Sequence, residues 1–477
     1  MLTKSSPVPL PTAGGVFYTP AELAVWRSRV STGPFVKDGD YTSGSPGDWN
    51  RITANAKLMT TTGEAAVTSA TTLTAHGTLA RDAAFYQLIK TDGTTTAAVK
   101  KYLLAQISNP VLDFPTTLCF RDAAGATQDG WFFNASWLLR YIATYDFMRG
   151  NLTNAERLNI ENFIRRNAYF LAAHNDWGLA FVFPSRLTGN YTSVGASAAA
   201  KTAASIWLYK QFDTNSDCKF DANDSPTNYV DNSYIAANGT VGPKLSVLSQ
   251  WYNNRRSTVA AAFGSAGVLL GDADLIASSK RYFMEWLTYS VWEDGSQGEY
   301  SRNGNYCIGG QGLIYSAFNE QGATLMARIL ARQGDRSMAN FSTTAGMYGS
   351  ESSSASKAKS LEMVISTRLN LITGQTKWFY HQPWKSVPTY NAIDRIGAAD
   401  SQYLGTGKPI DSYHELGLLQ GVGLFPRIST TATAVIMRDQ KVTTLRFPGS
   451  TGNMVSPGYG NWTDAFNALP AALLIRP

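Results

Sequence analysis

The sequence predicts a mainly α-helical protein, an incomplete (α/α) toroid of helical hairpins with a small β-hairpin and an irregular C-terminal part. Helix start signals recur along the chain, and apolar residues at helical spacing follow them. Short Gly/Asp connections join these runs into pairs, a pattern typical of toroids and superhelices of helical hairpins. Strand signals stay sparse until 432–447, where two β-rich runs flank a polar turn.

Two capping boxes give the clearest helix starts. Thr19-Pro20-Ala21-Glu22 places an N-cap, a proline and an acidic residue where they satisfy the free amides of a first turn. Thr153 and Glu156 open a second helix, which we expect to reach about Ala173. A loop is predicted at 33–49, and further helices at 50–62, 65–91, 95–107, 131–149, 247–270, 274–292, 310–333 and 356–371.

Two regions are expected along the chain. Residues 1–375 would form the toroid, with an insertion at 176–245, and residues 376–477 a C-terminal extension packed on it. Apolar residues make up 44% of the 477 residues and can fill a large core, which excludes intrinsic disorder. No apolar run reaches the roughly 18 residues that span a bilayer, so no membrane span is predicted.

Charge and cysteine content narrow the function classes. The net charge of +6 is spread along the chain without a Lys/Arg run, which argues against nucleic-acid binding. This mild positive charge is consistent with an acidic polysaccharide as partner. It is equally consistent with a slightly basic surface that binds no such partner. Three separated cysteines exclude a disulfide scaffold and a zinc-cysteine site. The first residues lack the apolar core of a signal peptide, so an extracellular, secreted or virion-associated protein would have lost its signal or use another route.

The region from Trp251 to Phe318 concentrates polar side chains suited to chemistry. Trp-Tyr-Asn-Asn-Arg-Arg at 251–256 opens an Ala/Gly-rich helix, and Glu-Asp-Gly-Ser-Gln-Gly-Glu-Tyr-Ser-Arg follows at 293–302. Leu-Ile-Tyr-Ser-Ala-Phe then occupies 313–318. Amide, guanidinium, carboxylate and phenol groups would converge if the ends of this helical hairpin meet at the mouth of a groove.

These motifs resemble the alginate lyase superfamily of polysaccharide lyases. That family has an Asn-Asn-His or Asn-His helix start, then a tract of Asp-Gly-Ser, Glu, two residues and Arg, and then a Tyr-containing segment. The similarity covers about 16–175 and 246–335. It implies metal-independent β-elimination on a uronic-acid polymer, with no cofactor required for catalysis.

The chemistry explains the residue types. Removing the C5 proton beside a carboxylate creates a dianionic enediolate, so amide and guanidinium donors must offset its charge. A base must reach C5 and an acid must reach the glycosidic oxygen, and a tyrosine between the two atoms can serve as either. A neighbouring guanidinium would lower the pKa of that tyrosine.

The resemblance assigns roles by position. Asn254 would neutralise the substrate carboxylate, Arg302 matches the family's arginine, and Glu299 matches the acidic residue that orients it. Tyr315 matches the catalytic tyrosine because Leu-Ile-Tyr-Ser-Ala-Phe is similar to the family's Leu-His-Tyr-Ser-x-Phe. Each assignment also has an ordinary alternative: a helix cap for the pair Asn253-Asn254, a surface pair for Glu299 and Arg302, and a core position for the tyrosine.

The chain departs from the family in two places. Arg255 stands where many members carry a catalytic histidine, and an arginine can neutralise charge but hardly abstract a proton. The gap from Arg302 to Tyr315 is also longer than expected, so Tyr306 competes for the phenol role.

Other side chains are candidates for substrate binding near the expected groove. Aromatic residues at helical spacing usually belong to a core, although some may stack on sugar rings where inner helices end at a cleft. The four histidines have no metal-ligand spacing. The substrate-binding candidates are Asn253, Trp251, Trp131, Tyr145, His174 and His414.

One acidic stretch has the ligand order of a calcium loop. Its sixth position is Cys218, where calcium loops usually carry glycine, so a structural calcium site and a solvated acidic loop both stay open. The candidate ligands are Asp213, Asn215, Asp217, Lys219, Asp221 and Asp224.

We therefore expect a polysaccharide lyase acting on alginate, glucuronan or a uronate-containing capsule, and a phage depolymerase fits the same pattern. One alternative is a glycoside hydrolase on a similar toroid, with Asp294 and Glu299 as the two carboxylates. The other is a glycan-binding protein without catalysis.

Overall fold

A computed structural model describes residues 3–10, 14–30, 48–62, 70–109, 112, 120–121, 127–128, 130–180, 252–297, 311–348, 352–372, 379–380, 394–395, 421, 424–425 and 427–428. These residues form a mainly α-helical structure, as predicted. Within them, no helix combines the length and the apolar character needed to cross a bilayer.

Ten α-helices run through the described residues. A 3₁₀ turn, Arg149–Asn151, joins the fifth to the sixth. The helices are α1 (Pro20–Arg29), α2 (Asp48–Thr62), α3 (Ala70–Lys90), α4 (Gly93–Ile107), α5 (Gly130–Met148), α6 (Asn154–Ala180), α7 (Asn254–Leu270), α8 (Ala273–Tyr289), α9 (Gln311–Arg332) and α10 (Leu361–Ile372).

Both predicted capping boxes are confirmed. The Thr19 hydroxyl accepts from the Glu22 amide at 3.2 Å, while the Glu22 carboxylate accepts from the Thr19 amide at 2.7 Å. Thr153 and Glu156 exchange the same two bonds at 3.3 and 2.9 Å. These pairs satisfy amides that a first helical turn leaves without partners, which is why α1 and α6 begin there.

Several predicted boundaries are wrong. Helix α2 begins inside the predicted 33–49 loop, and α6 continues past Ala173 to Ala180. Helix α7 begins at Asn254 because the Asn253 side chain caps it, and α8 ends before 292.

Three two-stranded antiparallel sheets occur in the described residues. They are formed by β1 (Phe120–Arg121) with β2 (Thr127–Gln128), β3 (Ser342–Tyr348) with β4 (Ser352–Ser360), and β5 (Phe379–Tyr380) with β6 (Asp394–Arg395).

The β3–β4 hairpin corrects the helix predicted at 356–371. Residues up to Ser360 belong to β4, with Ser342 opposite Ser360 and Thr343 opposite Lys359. Helix α10 begins only at Leu361, where the Ser360 hydroxyl accepts from the Met363 amide at 3.2 Å. The hairpin predicted at 432–447 lies outside the described residues.

Alternate helices lie side by side. Helix α3 packs on α5, α5 on α7, and α7 on α9, while α2 packs on α3, and α6 and α8 pack on α7.

Helix α1 contacts α9, the last helix in the series α3, α5, α7 and α9. The Glu22 carboxylate accepts from Arg328 at 2.8 Å and from Arg332 at 2.9 Å, and both arginines belong to α9. The first helix of the chain is thus tied to a helix more than three hundred residues away.

Helix α7 lies at the centre and is buried on nearly all sides. Its small residues let neighbouring helices approach closely. A methyl group on Gly267 would lie 2.8 Å from Leu275 Cβ and 2.9 Å from the Ile276 backbone nitrogen. A methyl group on Gly264 would lie 2.3 Å from the Ser279 hydroxyl, so both glycines are needed for the contact between α7 and α8.

Candidate functional site

The start of α7 is held by the first asparagine of the Asn-Asn pair. The Asn253 side chain accepts from the amides of Arg255 at 3.1 Å and Arg256 at 3.2 Å, so its predicted capping role is confirmed. Asn254 follows as the first helical residue and is 3% exposed. Capping therefore occupies the side-chain oxygen of Asn253, a residue that was predicted to bind substrate.

A buried amide on α9 joins two of the sequence motifs. The Asn319 side chain donates to the Tyr252 carbonyl at 3.3 Å and to the Gln297 side-chain oxygen at 2.9 Å. Its own oxygen accepts from the Ser257 hydroxyl on α7 at 2.5 Å. Asn319 therefore connects the segment at 252–257, the segment ending at Gln297 and α9.

The connection continues towards α10 through a buried ion pair. The Gln297 amide donates to Glu320 at 2.5 Å and to the Ser316 carbonyl at 3.4 Å. Arg368 of α10 lies 3.6 Å from the other Glu320 oxygen and donates to the Ser316 hydroxyl at 2.9 Å. Glu320 and Arg368 are both fully buried. We name Ser257, Gln297, Ser316, Asn319, Glu320 and Arg368 the α9 polar network.

The network extends to the helix cap through Tyr282 of α8. The Tyr282 hydroxyl lies 3.2 Å from the Ser257 hydroxyl and donates to the Asn253 carbonyl at 3.3 Å. A continuous chain of polar contacts thus runs from α10 to the first turn of α7.

The structure brings together the parts of the motif that it describes. Asn254 lies in the first turn of α7, Gln297 directly precedes Gly298, and Tyr315 lies on α9 immediately before Ser316. Gln297 and Ser316 belong to the α9 polar network, and Asn254 lies in the chain between Tyr252 and Ser257, both of which Asn319 contacts. The Tyr315 side chain lies outside the described residues, as do Trp251, Glu299, Arg302 and Tyr306.

The two arginines after the asparagines differ in environment. Arg255 is partly exposed, whereas Arg256 is buried and donates to the Asn175 carbonyl at the end of α6 at 3.1 Å. The Asn175 side chain, also buried, makes no hydrogen bond in the described structure. Arg256 therefore anchors the start of α7 to α6, while Arg255 retains access to solvent.

His174 lies inside the protein, not on an open groove. It is 1% exposed and its ring lies 4.3 Å from that of Phe170. Burial, with the nearby Arg256 charge, holds the His174 pKa well below its usual value, so the imidazole is neutral at neutral pH. The prediction that His174 contacts substrate is wrong for this conformation. His414 lies outside the described residues.

Tyr145 is a core residue, so its predicted stacking on a sugar ring is wrong. Its ring is fully buried and its hydroxyl donates to Glu161 at 2.5 Å. Burial raises the Tyr145 pKa far above its usual value. Trp131 lies in the first turn of α5, and its side chain is outside the described residues.

Asp294 has a local structural role. Its carboxylate accepts from the Ser296 amide at 2.9 Å and the Ser296 hydroxyl at 2.6 Å, an arrangement that stabilises the turn before Gln297. The Asp294 carbonyl also accepts from Thr367 of α10 at 2.9 Å. This use of the carboxylate disfavours Asp294 as the general acid of a hydrolase.

An open groove of about 720 Å³ follows the outer face of α8. Glu285 and Tyr289 line one end of it. The Tyr252 hydroxyl donates to Glu285 at 2.7 Å, and the Tyr252 ring stacks on Tyr289 at 6.2 Å. The groove therefore ends beside the residue that precedes the α7 cap.

The calcium prediction falls outside the described residues, because its six candidate ligands lie between 213 and 224. Within the described ranges, no group of three or more His, Cys, Asp or Glu side chains could hold a metal ion.

Sequence patterns did not indicate Asn319, Glu320 or Arg368 as parts of the site. Asn319 and Glu320 belong to a run of three polar residues, 319–321, that follows Phe318 on α9, and Arg368 lies beyond the region of family resemblance. The signal available in the sequence was the pair of polar positions shortly after Tyr315, where periodicity would favour core residues.

In comparisons with known proteins, no protein-family model and no curated protein matches the chain. The alginate lyase resemblance therefore depends on the motif residues themselves.

Proposed function

We propose that this protein is a polysaccharide lyase that cleaves a uronic-acid polymer by β-elimination. The observation that carries the proposal is the Asn319 amide, which connects the Tyr252 carbonyl, Ser257 and Gln297. Tyr252 and Gln297 belong to two of the motifs, Ser257 directly follows the first of them, and Asn319 lies on the helix that carries the third. The motifs are far apart in sequence, so their proximity is the arrangement that a shared site requires.

The helix arrangement supports an (α/α) toroid for this function. Helices α3, α5, α7 and α9 are successive neighbours, while α2 packs on α3 and both α6 and α8 pack on α7. Alternation of this kind is expected when helical hairpins follow one another around a centre. The contacts between α1 and α9 fit the same arrangement.

In the proposed reaction, Asn254, Arg302 and the partly exposed Arg255 offset the charge of the substrate carboxylate and of the enediolate. Glu299 orients Arg302. A tyrosine, Tyr315 or its competitor Tyr306, takes the C5 proton and delivers a proton to the leaving glycosidic oxygen. No metal takes part in these steps, and a calcium ion at 213–224 would brace the insertion.

The proposed substrates are alginate, glucuronan or a uronate-containing capsular polymer, met outside the cell or on a virion. The modest positive charge of the chain supports an acidic polymer.

A polymer panel tests this proposal. The protein is incubated with each uronate polymer and with a neutral glucan, in calcium and in EDTA, and ultraviolet absorbance is followed. Elimination creates a conjugated 4,5-unsaturated uronate, so absorbance should rise with an acidic polymer and not with the glucan. Binding without an absorbance change on any uronate polymer would indicate a non-catalytic glycan-binding protein.

A further inference from the structure

We infer that Asn319 is a positioning residue for the proposed elimination, holding Gln297 and the start of α7 in a single geometry. The inference rests on the proposed function. It starts from the contacts of one buried amide, whose two side-chain atoms bond three different partners: Ser257, the Tyr252 carbonyl and Gln297.

Gln297 is fixed at both ends of its amide. Its oxygen accepts from Asn319 at 2.9 Å and its nitrogen donates to Glu320 at 2.5 Å. Because oxygen and nitrogen face different partners, the amide cannot rotate by half a turn without losing both bonds. Gln297 immediately precedes the sequence Gly-Glu-Tyr-Ser-Arg, which carries Glu299 and Arg302.

The same network holds the chain beyond that segment. The Ser316 carbonyl accepts from Gln297, and its hydroxyl accepts from Arg368. Residues 298–315, which include every proposed catalytic side chain except Asn254 and Arg255, thus lie between two positions that the network holds.

The burial of this network favours positioning over stability as its role. Gln297 and Asn319 are almost completely buried, as is the Glu320–Arg368 pair. Apolar residues of similar size often replace buried ion pairs without loss of stability, whereas a buried hydrogen-bonded network can specify one arrangement. Such a network would hold Gln297 and the start of α7, which carries Asn254, in one arrangement.

Two variants and a matched control test the inference. Asn319→Asp keeps an acceptor for Ser257 but removes the donor to Gln297 and Tyr252. Gln297→Met is close in size, adds no charge and removes both amide contacts, so it serves if the aspartate variant fails to fold. The control is Asn167→Asp on α6, where a buried asparagine donates to the Phe163 carbonyl at 3.2 Å.

The readouts are kcat and KM on a cleaved uronate polymer, the unfolding temperature, and amide exchange in peptides covering 291–302. We expect kcat to fall by about tenfold to a hundredfold in both test variants, because misplacement of reacting groups acts on the chemical step. KM should change by less than about threefold. Exchange in 291–302 should become faster, while Asn167→Asp loses thermal stability without losing kcat.

The inference is overturned if a folded test variant keeps most of the wild-type kcat, or if the control loses kcat to the same extent. If the wild type cleaves no uronate polymer, the proposed function fails. The amide-exchange measurement alone then tests whether Asn319 holds Gln297 and the start of α7 in place. Faster exchange in 291–302 for the test variants but not the control supports the positioning role, and unchanged exchange overturns it.

Discussion

At the residue scale, the two asparagines at the start of α7 occupy different positions: Asn253 precedes the helix and Asn254 is its first residue. Asn253 caps the helix with its side-chain oxygen, while Asn254 is the next residue and lies buried in the first turn. Asparagine is suited to both positions. A cap must precede the helix, and a residue of the first turn lies at the positive end of the helix. In the proposed lyase site, the partial positive charge of the helix amides would add to the attraction for a substrate carboxylate.

The tyrosine that carries the proton can be identified by paired substitutions. Tyr315→Phe should lower kcat by about 10²–10⁴, because phenylalanine has no proton to transfer, and should leave KM nearly unchanged. Tyr306→Phe, the matched control, should keep most of the activity. Steady-state kinetics on a cleaved polymer measure both. The reverse result would move the role to Tyr306, and full activity in both variants would remove the phenol from the mechanism.

Whether a contact in the site could be predicted depends on how far apart its two residues lie in the sequence. The Asn253 cap could be predicted because it bonds amides two and three residues away. The contact between Asn319 and Tyr252 spans 67 residues, and that between Arg368 and Ser316 spans 52. No local pattern encodes such pairings, so the network that holds the motifs together could not be predicted from the sequence.

At the element scale, α7 owes its central position to its small side chains. Its sequence, Asn-Arg-Arg-Ser-Thr-Val-Ala-Ala-Ala-Phe-Gly-Ser-Ala-Gly-Val-Leu-Leu, has no wide polar face. A helix of this composition is buried on all sides, and the structure places α5, α6, α8 and α9 against it. Large buried side chains of α8, such as Trp286 and Phe283, then fill the core beside it.

Close packing between α7 and α8 makes Gly267 sensitive to added volume. Gly267→Ala should destabilise the protein by about 1–3 kcal/mol, because the new methyl group meets Leu275 and the α8 backbone below contact distance. Urea unfolding measures the change.

Gly93→Ala is the control, since a methyl group on Gly93 would have nothing within 4 Å. It should leave stability unchanged or raise it by about 0.4–1 kcal/mol through the unfolded chain. Equal effects at the two glycines would contradict the packing account.

The β3–β4 hairpin marks where element prediction failed. The β4 sequence Ser-Ser-Ser-Ala-Ser-Lys-Ala-Lys-Ser contains no β-branched or aromatic residue, so strand propensity is absent. What pairs it is tertiary context: Lys359 is buried and donates to the Thr288 carbonyl of α8 at 2.5 Å. Burial lowers the Lys359 pKa to about 7, so the charge on the Lys359 amino group that makes this contact changes near neutral pH.

At the scale of the whole molecule, Glu22 connects the first helix to α9. Burial alone would raise the Glu22 pKa, but Arg332 and Arg328 outweigh burial and hold it below the ordinary value of 4.5. A carboxylate with a lowered folded-state pKa adds stability above its unfolded pKa and loses it as pH falls through the folded value.

Glu22→Gln should therefore destabilise the protein at pH 7, by on the order of 3 kcal/mol, because it removes the carboxylate charge that pairs with two largely buried arginines. The difference from wild type should shrink as pH falls below about 4.5, where the wild-type carboxylate also becomes neutral. Thermal unfolding of both proteins across this pH range measures it.

Glu156→Gln is a matched control for that variant. Glu156 holds the same capping-box position and pairs with Lys100 at the surface, at 2.9 Å. Its loss should cost only about 0.2–1 kcal/mol for the exposed pair. A constant difference across pH for Glu22→Gln, or equal losses in the two variants, would show that the α1–α9 contact carries no special weight.

The product ratio tests β-elimination most directly. New reducing ends and new ultraviolet-absorbing uronates are counted in the same digest of a cleaved acidic polymer. Because each elimination makes one of each, we predict that the two rise together, one to one, from the first time point. Reducing ends that accumulate without the chromophore would mean hydrolysis and would contradict the lyase account.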